Sequence, residues 1–208
     1  ALALLPFILW SFRRLLLDGR SVYLLSSTGL LALLWLSHNI SSLLFTPFLV
    51  LYLLVIWLAC GRKGHWPKAL AALALGIALT AFFWAPAILE QDAVQLHLSR
   101  TTRNNDYHFN FVNLAEVFAP PQAADSALLN PPLRLPLGLP VAILALLGVG
   151  LAVWRWWPAP LPDLNARLER RERLATVLLF AFSAVAMVFI ATRASLPLWE
   201  NLPLIPFV

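Results

Sequence analysis

A polar hexapeptide, Ser-His-Asn-Ile-Ser-Ser at residues 37–42, interrupts an apolar run that extends from residue 22 to residue 59. Its imidazole, carboxamide and hydroxyl groups could bind a polar headgroup, and His38 and Asn39 are therefore candidate binding residues. In that interpretation both side chains face a cavity at the edge of an apolar bundle. In the alternative they only close a tight turn, because Asn and Ser side chains readily bond to nearby backbone groups. The sequence leaves both interpretations open.

Two carboxylates, Glu90 and Asp92, follow a proline in the sequence PAILEQD at residues 86–92. They are candidate catalytic residues, because an acid at the rim of an apolar bundle can serve as a base or a metal ligand. Solvated acids at the end of a helix would give the same sequence. Their spacing does not distinguish the two interpretations.

A longer polar segment follows and carries Arg100 and Arg103. A guanidinium group forms a fork of donors that suits phosphate, so both arginines are candidate phosphate ligands. The segment is either a loop with an interfacial anchor or a lid over a cavity. His97, Asp106 and His108 could be metal ligands, but they lack a diagnostic spacing. We therefore predict no metal site and no cofactor, and a need for a divalent metal has no support in the sequence.

The sequence FNFVNLAEVF at residues 109–118 has apolar side chains at helical spacing. Phe111, Leu114, Ala115 and Phe118 would lie on one face of a helix. Such a pattern predicts an amphipathic helix that lies in a membrane interface.

The candidate residues lie between long apolar stretches. Of the 208 residues, 61% are hydrophobic and 12% are charged, whereas about a quarter of the residues are charged in a soluble domain. We therefore expect an all-α transmembrane bundle of about six spans, in a single domain over residues 1–208. The predicted spans are residues 1–12, 21–36, 40–59, 69–89, 137–154 and 174–192. Pro86 is expected to kink or end its helix.

The distribution of charge predicts the orientation of this bundle. Eleven of the 15 basic residues lie in the connections 13–20, 61–68 and 155–173, which the positive-inside rule places in the cytoplasm. The turn at His38 and the loop 90–135 then lie on the outer side. The second half of 155–173 is expected to be helical. Because topology explains the basic charge, we expect no nucleic-acid partner.

Several functional classes lack their motifs. The chain has no phosphate-binding Gly-rich loop, no CxxC, no HExxH and no GxSxG, and its single cysteine excludes an internal disulfide. No charged residue lies in the middle of a predicted span, which argues against an ion-coupled transporter. The sequence begins without methionine and ends in an apolar stretch. We expect an internal segment of a longer chain, whose remainder would be a partner.

Three stretches resemble a known family: LSHNISSLLFTPFLVLYLL at 36–54, FFWAPAILEQD at 82–92 and SLPLWENLPLIPFV at 195–208. They resemble bacterial polytopic membrane proteins of the GT-C glycosyltransferase type, including proteins labelled 6-pyruvoyl-tetrahydropterin synthase-related and the YfhO-like group. No residue here is similar to the zinc site of a pterin synthase.

The resemblance implies a multi-pass protein of the bacterial plasma membrane with a role in the cell envelope. It implies transfer of a sugar from a polyprenyl phosphate to an acceptor on the outer side, with membrane lipids as surroundings. The main catalytic acid of such proteins lies in the first outer loop, which is expected to precede residue 1. On this basis His38, Asn39, Glu90, Arg100 and Arg103 would line the rim of a lipid-phosphate cavity. A non-catalytic membrane protein or a transporter of lipid-linked glycans is the alternative.

Overall fold

A computed structural model describes residues 2–61, 64–90, 107–120, 136–156 and 163–201. Over these residues the protein is all-α, as the sequence predicts, and contains no β-strand. The helices are α1 Leu4–Asp18, α2 Ser21–Ser37, α3 Asn39–Ala59, α4 Trp66–Ala78, α5 Ala81–Leu89, α6 Leu114–Val117, α7 Leu139–Trp156, α8 Leu164–Ala191 and α9 Leu196–Asn201. Two short 3-10 turns lie at Tyr107–Phe109 and Arg193–Ser195.

The chain divides into two compact units. The first consists of Ala1–Val94 with Ala159–Leu179, and the second of Gln95–Pro158 with Phe180–Val208. Helix α8 contributes to both, because the division falls between Leu179 and Phe180.

The first unit has its core between α1, α2, α3 and α4. Helix α2 packs along both α1 and α4, and α3 contacts α1 and α2. Leu15 on α1, Leu31 on α2 and Leu53 on α3 are fully buried in this core. Ser11 on α1 and Ser27 on α2 are also fully buried, and their hydroxyl oxygens lie 2.5 Å apart. This hydrogen bond joins the two helices where neither water nor lipid could pair the hydroxyls.

Small residues on α4 allow its backbone to approach α2 closely. Ala69, Ala72 and Gly76 are all buried on one face of α4. A Cβ atom added at Gly76 would lie 2.9 Å from Cδ2 of Leu31, so a larger side chain would require the Leu31 side chain to move. Close packing through small side chains is a common means of helix association in membranes.

The α1–α2 and α3–α4 connections lie against each other. The backbone N–H of His65 donates to the carbonyl oxygen of Leu16 at 2.7 Å, and Lys68 Nζ donates to the carbonyl oxygen of Gly19 at 2.5 Å. Gly64 has a φ of +133°, and a Cβ there would lie 2.8 Å from the carbonyl oxygen of Leu16. Glycine is therefore required at Gly64 by both its backbone conformation and the contact.

Helix α1 extends beyond residue 12, the predicted end of the first span. Helix α1 continues through Arg13 and Arg14 to Asp18, and ends at Gly19, whose φ of 66° is left-handed. The charged groups have partners that permit the longer helix. Arg14 pairs with Asp18 one turn later at 3.3 Å, and Arg13 pairs with Glu172 on α8.

The predicted span over residues 69–89 is bent by 65° between α4 and α5. The bend precedes Pro86, which lies inside α5, although the helix does end soon after this proline at Leu89. At the bend the carbonyl oxygen of Ile77 accepts from Thr80 Oγ1 at 2.8 Å and from Trp84 Nε1 at 3.0 Å. These side chains satisfy a backbone group that the broken helix leaves without its usual partner.

Two of the described helices, α3 and α8, are long and apolar enough to cross a membrane, and the bent pair α4–α5 would be a third if it is one span. This number is smaller than the six spans that the sequence predicts. Helix α2 has 17 residues, or about 26 Å at the rise of an α-helix. That length is slightly less than the roughly 30 Å of a bilayer core. Arginine-rich residues 164–173 form the start of α8, which confirms that the second half of segment 155–173 is helical.

The second unit contains a shorter helix than the amphipathic helix predicted for residues 109–118. Helix α6 spans only Leu114–Val117. Asn113 and Glu116 form a capping box, which sets the start of the helix at Leu114 and leaves Phe111 outside it. Phe111 instead takes part in an aromatic cluster.

Candidate functional site

The polar turn at residues 37–42 is shorter than predicted and is held by its own side chains. His38 alone separates α2 from α3 and caps α3, since its Nδ1 accepts from the backbone N–H of Ser41 at 3.2 Å. Ser42 Oγ donates to the carbonyl oxygen of His38 at 2.7 Å, and Asn39 Oδ1 accepts from the N–H of Ile40 at 2.8 Å. The geometry favours the interpretation as a turn.

Both candidate residues of this turn nevertheless keep a polar group available. His38 and Asn39 are exposed. With Nδ1 as an acceptor, a neutral His38 carries its proton on Nε2, which can donate to a ligand. The turn could therefore contact a headgroup without breaking its own hydrogen bonds.

The remaining candidates lie partly outside the residues that the structure describes. Glu90 is exposed at the end of α5, where its backbone N–H donates to the carbonyl oxygen of Pro86 at 2.8 Å. Asp92, Arg100, Arg103 and the proposed metal ligands His97 and Asp106 lie outside the described residues. Within the described part of the chain, no group of three His, Cys, Asp or Glu side chains could hold a metal ion. Among the described candidates, His38 and Asn39 are adjacent in one turn, and Glu90 lies at the end of a different helix.

The second unit contains an aromatic cluster that the sequence analysis did not identify as a site, formed by Tyr107, His108, Phe111 and Trp199. The ring centroids of Tyr107 and Trp199 lie 5.4 Å apart at an interplanar angle of 20°, and those of Tyr107 and His108 lie 4.1 Å apart at 25°. Phe111 meets Tyr107 and Trp199 edge-on, with centroids at 6.2 and 6.3 Å. These are the stacked and T-shaped arrangements that aromatic rings prefer.

Backbone contacts fix the two segments that build this cluster. The N–H of Val112 donates to the carbonyl oxygen of Ala191 at 2.9 Å, and Val112 forms a parallel bridge with Thr192. The segment with Tyr107 and Phe111 is thereby attached to the C-terminal end of α8. The same end of α8 leads through the turn at Arg193–Ser195 into α9, which carries Trp199.

The ring of Trp199 is positioned by hydrogen bonds as well as by stacking. Its Nε1 donates to the carbonyl oxygen of Ile190 at 3.2 Å and contacts Ser195 Oγ at 3.1 Å. Ser195 is fully buried, and its hydroxyl donates to the carbonyl oxygens of Ile190 and Thr192, each at 2.8 Å. Trp199 is therefore held at one edge through Nε1 and on its face by the ring of Tyr107.

The cluster is partly accessible and combines aromatic rings with polar groups. Tyr107, Phe111 and Trp199 are partly exposed, and His108 is exposed. A pyranose ring presents an apolar face of C–H groups, which packs on aromatic rings, while its hydroxyls need polar neighbours. Tyr107 and His108 combine an aromatic face with a polar edge, so the cluster offers both.

A second polar arrangement, in the first unit, is an ion pair between α1 and α8. Arg13 Nε donates to Glu172 Oε1 at 2.6 Å, and Arg13 Nη2 donates to Glu172 Oε2 at 2.8 Å. The side chain of Glu172 is 6% exposed and that of Arg13 is 30% exposed. The hydrogen bond to Glu172 raises the pKa of Arg13. Burial, followed by the charge of Glu172, raises the pKa of the Cys60 thiol, which Arg13 partly opposes.

Local patterns could have indicated only some of these residues. The repeated aromatic residues between 107 and 111 are visible in the sequence, but their contact with Trp199 spans most of the second unit. Arg13 and Glu172 are 159 positions apart, and neither lies in a motif. Proximity of this kind arises only when the helices pack.

Comparison with protein-family models, with curated proteins and with solved structures finds no match to this chain.

Proposed function

We propose that this chain is a multi-pass helical domain of the bacterial plasma membrane that binds a polyprenyl-phosphate sugar on the outer side, where the sugar is transferred to an acceptor. The aromatic cluster carries the proposal. It follows the apolar part of α8, whereas an arginine-rich section precedes that part. If the arginines are cytoplasmic, the cluster lies on the outer side.

The apolar surfaces of the helices support placement in a bilayer. In α8, Phe182, Val185 and Met187 are each more than 60% exposed, and in α7 the same is true of Leu144 and Leu146. Exposed apolar area on this scale needs lipid or further protein to cover it. In the proposed arrangement, α3 and α8 span the bilayer fully, and six spans result when the shorter apolar helices also cross it.

The aromatic cluster would recognise the sugar, and other residues would bind the phosphate. One sugar ring would pack on the exposed part of the cluster that Tyr107 and Trp199 form. Arg100 or Arg103 would pair with the phosphate and stabilise its charge as it leaves. Glu90 is a candidate for a supporting carboxylate, separate from the main general base that the resemblance places in the first outer loop. His38 and Asn39 would contact the headgroup region from the polar turn.

The test measures binding of two lipids to the full chain in nanodiscs: a polyprenyl phosphate carrying one hexose, and the same lipid without its sugar. A stacked pair contributes about 1 kcal/mol, so we expect Tyr107→Leu to weaken binding of the sugar-bearing lipid about fivefold. Binding of the bare polyprenyl phosphate should not change. Phe109→Leu, in the same turn, is the control and should affect neither lipid.

Two further variants separate the phosphate contact from catalysis. Arg103→Ala should weaken binding of both lipids by about tenfold, or 1.4 kcal/mol. Glu90→Gln should keep the binding of both lipids and slow transfer of the hexose. Equal losses in Tyr107→Leu and Phe109→Leu, or no preference for the sugar-bearing lipid, would contradict the proposed function.

A transporter of lipid-linked glycans is the second candidate, since the bent pair α4–α5 is a broken helix of the kind found in transporters. However, the carbonyl oxygen of Ile77 at the break is already satisfied by Thr80 and Trp84. It has no vacant position of the kind that coordinates an ion. Movement of the lipid across vesicles without hexose transfer would favour this candidate over the first.

A further inference from the structure

The first ten residues of α8 have one face packed on the first unit. Glu172 is 4% exposed and pairs with Arg13 of α1. Leu168, one turn earlier, lies with its Cδ2 3.8 Å from the position that a Cβ at Gly61 would occupy. Positions four apart share a helix face, so Leu168 and Glu172 define the packed side.

The opposite arc of the same section is cationic. Arg167, Arg170 and Arg171 are spaced three and four residues apart, and Arg173 flanks them. Arg171 and Arg173 are exposed. The arc points away from the packed face, because each residue adds about 100° around the helix.

Acidic side chains at this end of the first unit do not balance the cations. Residues 13–20, 64–68 and 163–173 hold eight Lys and Arg side chains but four Asp and Glu. Three of these four acids are already in ion pairs, namely Asp18 with Arg14, Glu169 with Arg173 and Glu172 with Arg13. A net positive charge remains on the surface, which includes the exposed Arg20 at the start of α2.

The position of this charge along the helix matches the headgroup layer of a membrane. Helix α8 continues without a break from Arg173 into the apolar residues from Leu174 onward. Arg170 therefore lies about 6 Å along the helix from the start of the apolar part. The headgroup layer is roughly 5–8 Å thick on each side of a bilayer, so the arginines coincide with the lipid phosphates.

We propose that this surface, the cationic arc of residues 167–173 together with Arg20, binds the headgroups of anionic phospholipids on the cytoplasmic side. It rests on the membrane placement in the proposed function, but not on sugar binding. The phosphates and the guanidinium groups form charge-assisted hydrogen bonds. The ion pair between Arg13 and Glu172 is the positioning contact, since it holds the arc against the first unit.

The test uses the full chain in a neutral detergent and counts retained lipid by native mass spectrometry. Phosphatidylglycerol is compared with phosphatidylcholine of the same acyl chains. A basic residue near an anionic surface contributes about fivefold in binding. We expect wild-type protein to prefer phosphatidylglycerol, Arg171→Gln to reduce that preference about fivefold, and Arg171→Lys to retain most of it.

Arg193→Gln is the matched control, because it also removes one exposed arginine but lies in the second unit. It should change the preference less than twofold. An equal effect of Arg171→Gln and Arg193→Gln, or equal retention of the two lipids by wild-type protein, would overturn the proposal. Helix content by circular dichroism checks that each variant is folded.

A separate experiment tests the membrane placement. If alkaline carbonate extracts the chain from membranes, the placement itself is wrong, and the proposed function fails with it. If the chain stays in the membrane fraction but shows no preference for phosphatidylglycerol, only the lipid-binding surface is wrong.

Discussion

Replacing Arg13 by glutamine should destabilise the protein more than replacing Glu172 by glutamine, although both changes break the same ion pair. The asymmetry follows from burial, since the Glu172 side chain is 6% exposed and that of Arg13 is 30% exposed. Arg13→Gln leaves a buried carboxylate without its cation, which costs about 3–5 kcal/mol. Glu172→Gln keeps an acceptor oxygen, and water can reach the partly exposed Arg13. We expect a loss of about 1–2 kcal/mol there.

The measurement is the free energy of unfolding of the full chain in mild detergent, titrated with a denaturing detergent and followed by helix signal. Arg14→Gln is the matched control. Its exposed pair with Asp18, at 3.3 Å one turn apart, should contribute less than about 0.5 kcal/mol. The double variant Arg13→Met with Glu172→Met should be less destabilised than Arg13→Gln, because it leaves no buried charge unpaired.

Equal losses in Arg13→Gln and Glu172→Gln would refute the reasoning. The same conclusion would follow if the double methionine variant were the least stable of the set. Either result would mean that the desolvation of Glu172 does not control the stability of this contact.

Two other predictions concern the same end of the first unit. The alkylation rate of Cys60 should rise with pH about a midpoint above the usual thiol value, because burial and Glu172 raise its pKa. Glu172→Gln should lower this midpoint and Arg13→Gln should raise it further, whereas acceleration in both variants would indicate simple opening of the structure. Gly64→Ala should cost about 2–4 kcal/mol of unfolding free energy, from its φ of +133° and the clash with a backbone oxygen of α1. Gly29→Ala on α2 meets open space and should be neutral or slightly stabilising, so a similar loss at both glycines would contradict this account.

The candidate site shows which structural features a local sequence pattern can predict. A polar interruption of an apolar run is a local signal that predicts His38 between two helices, and the structure confirms this position. Its role as a cap follows from the geometry of the turn, in which Nδ1 accepts from Ser41. Phe111 was assigned to a helix by its spacing, but the capping box of Asn113 and Glu116 starts that helix three residues later. A cap of this kind overrides apolar periodicity over so short a segment.

The sequence by itself determined the helical character of the chain and the limits of α2 and α3. Residues 21–36 and 40–59 were predicted as spans, and α2 and α3 are Ser21–Ser37 and Asn39–Ala59. Composition and the residues that end a helix decide these features. Apolar side chains need a nonaqueous environment, and the backbone groups there need internal hydrogen-bond partners.

Only the tertiary structure decided which distant groups meet. It paired Arg13 with Glu172 across 159 positions and placed Trp199 on Tyr107. Each outcome depends on packing between elements far apart in the chain, where burial fixes the cost of an unpaired charge or carbonyl oxygen. The spacing of apolar residues along one segment does not show the cost of such an unpaired group, because its partner lies on another segment.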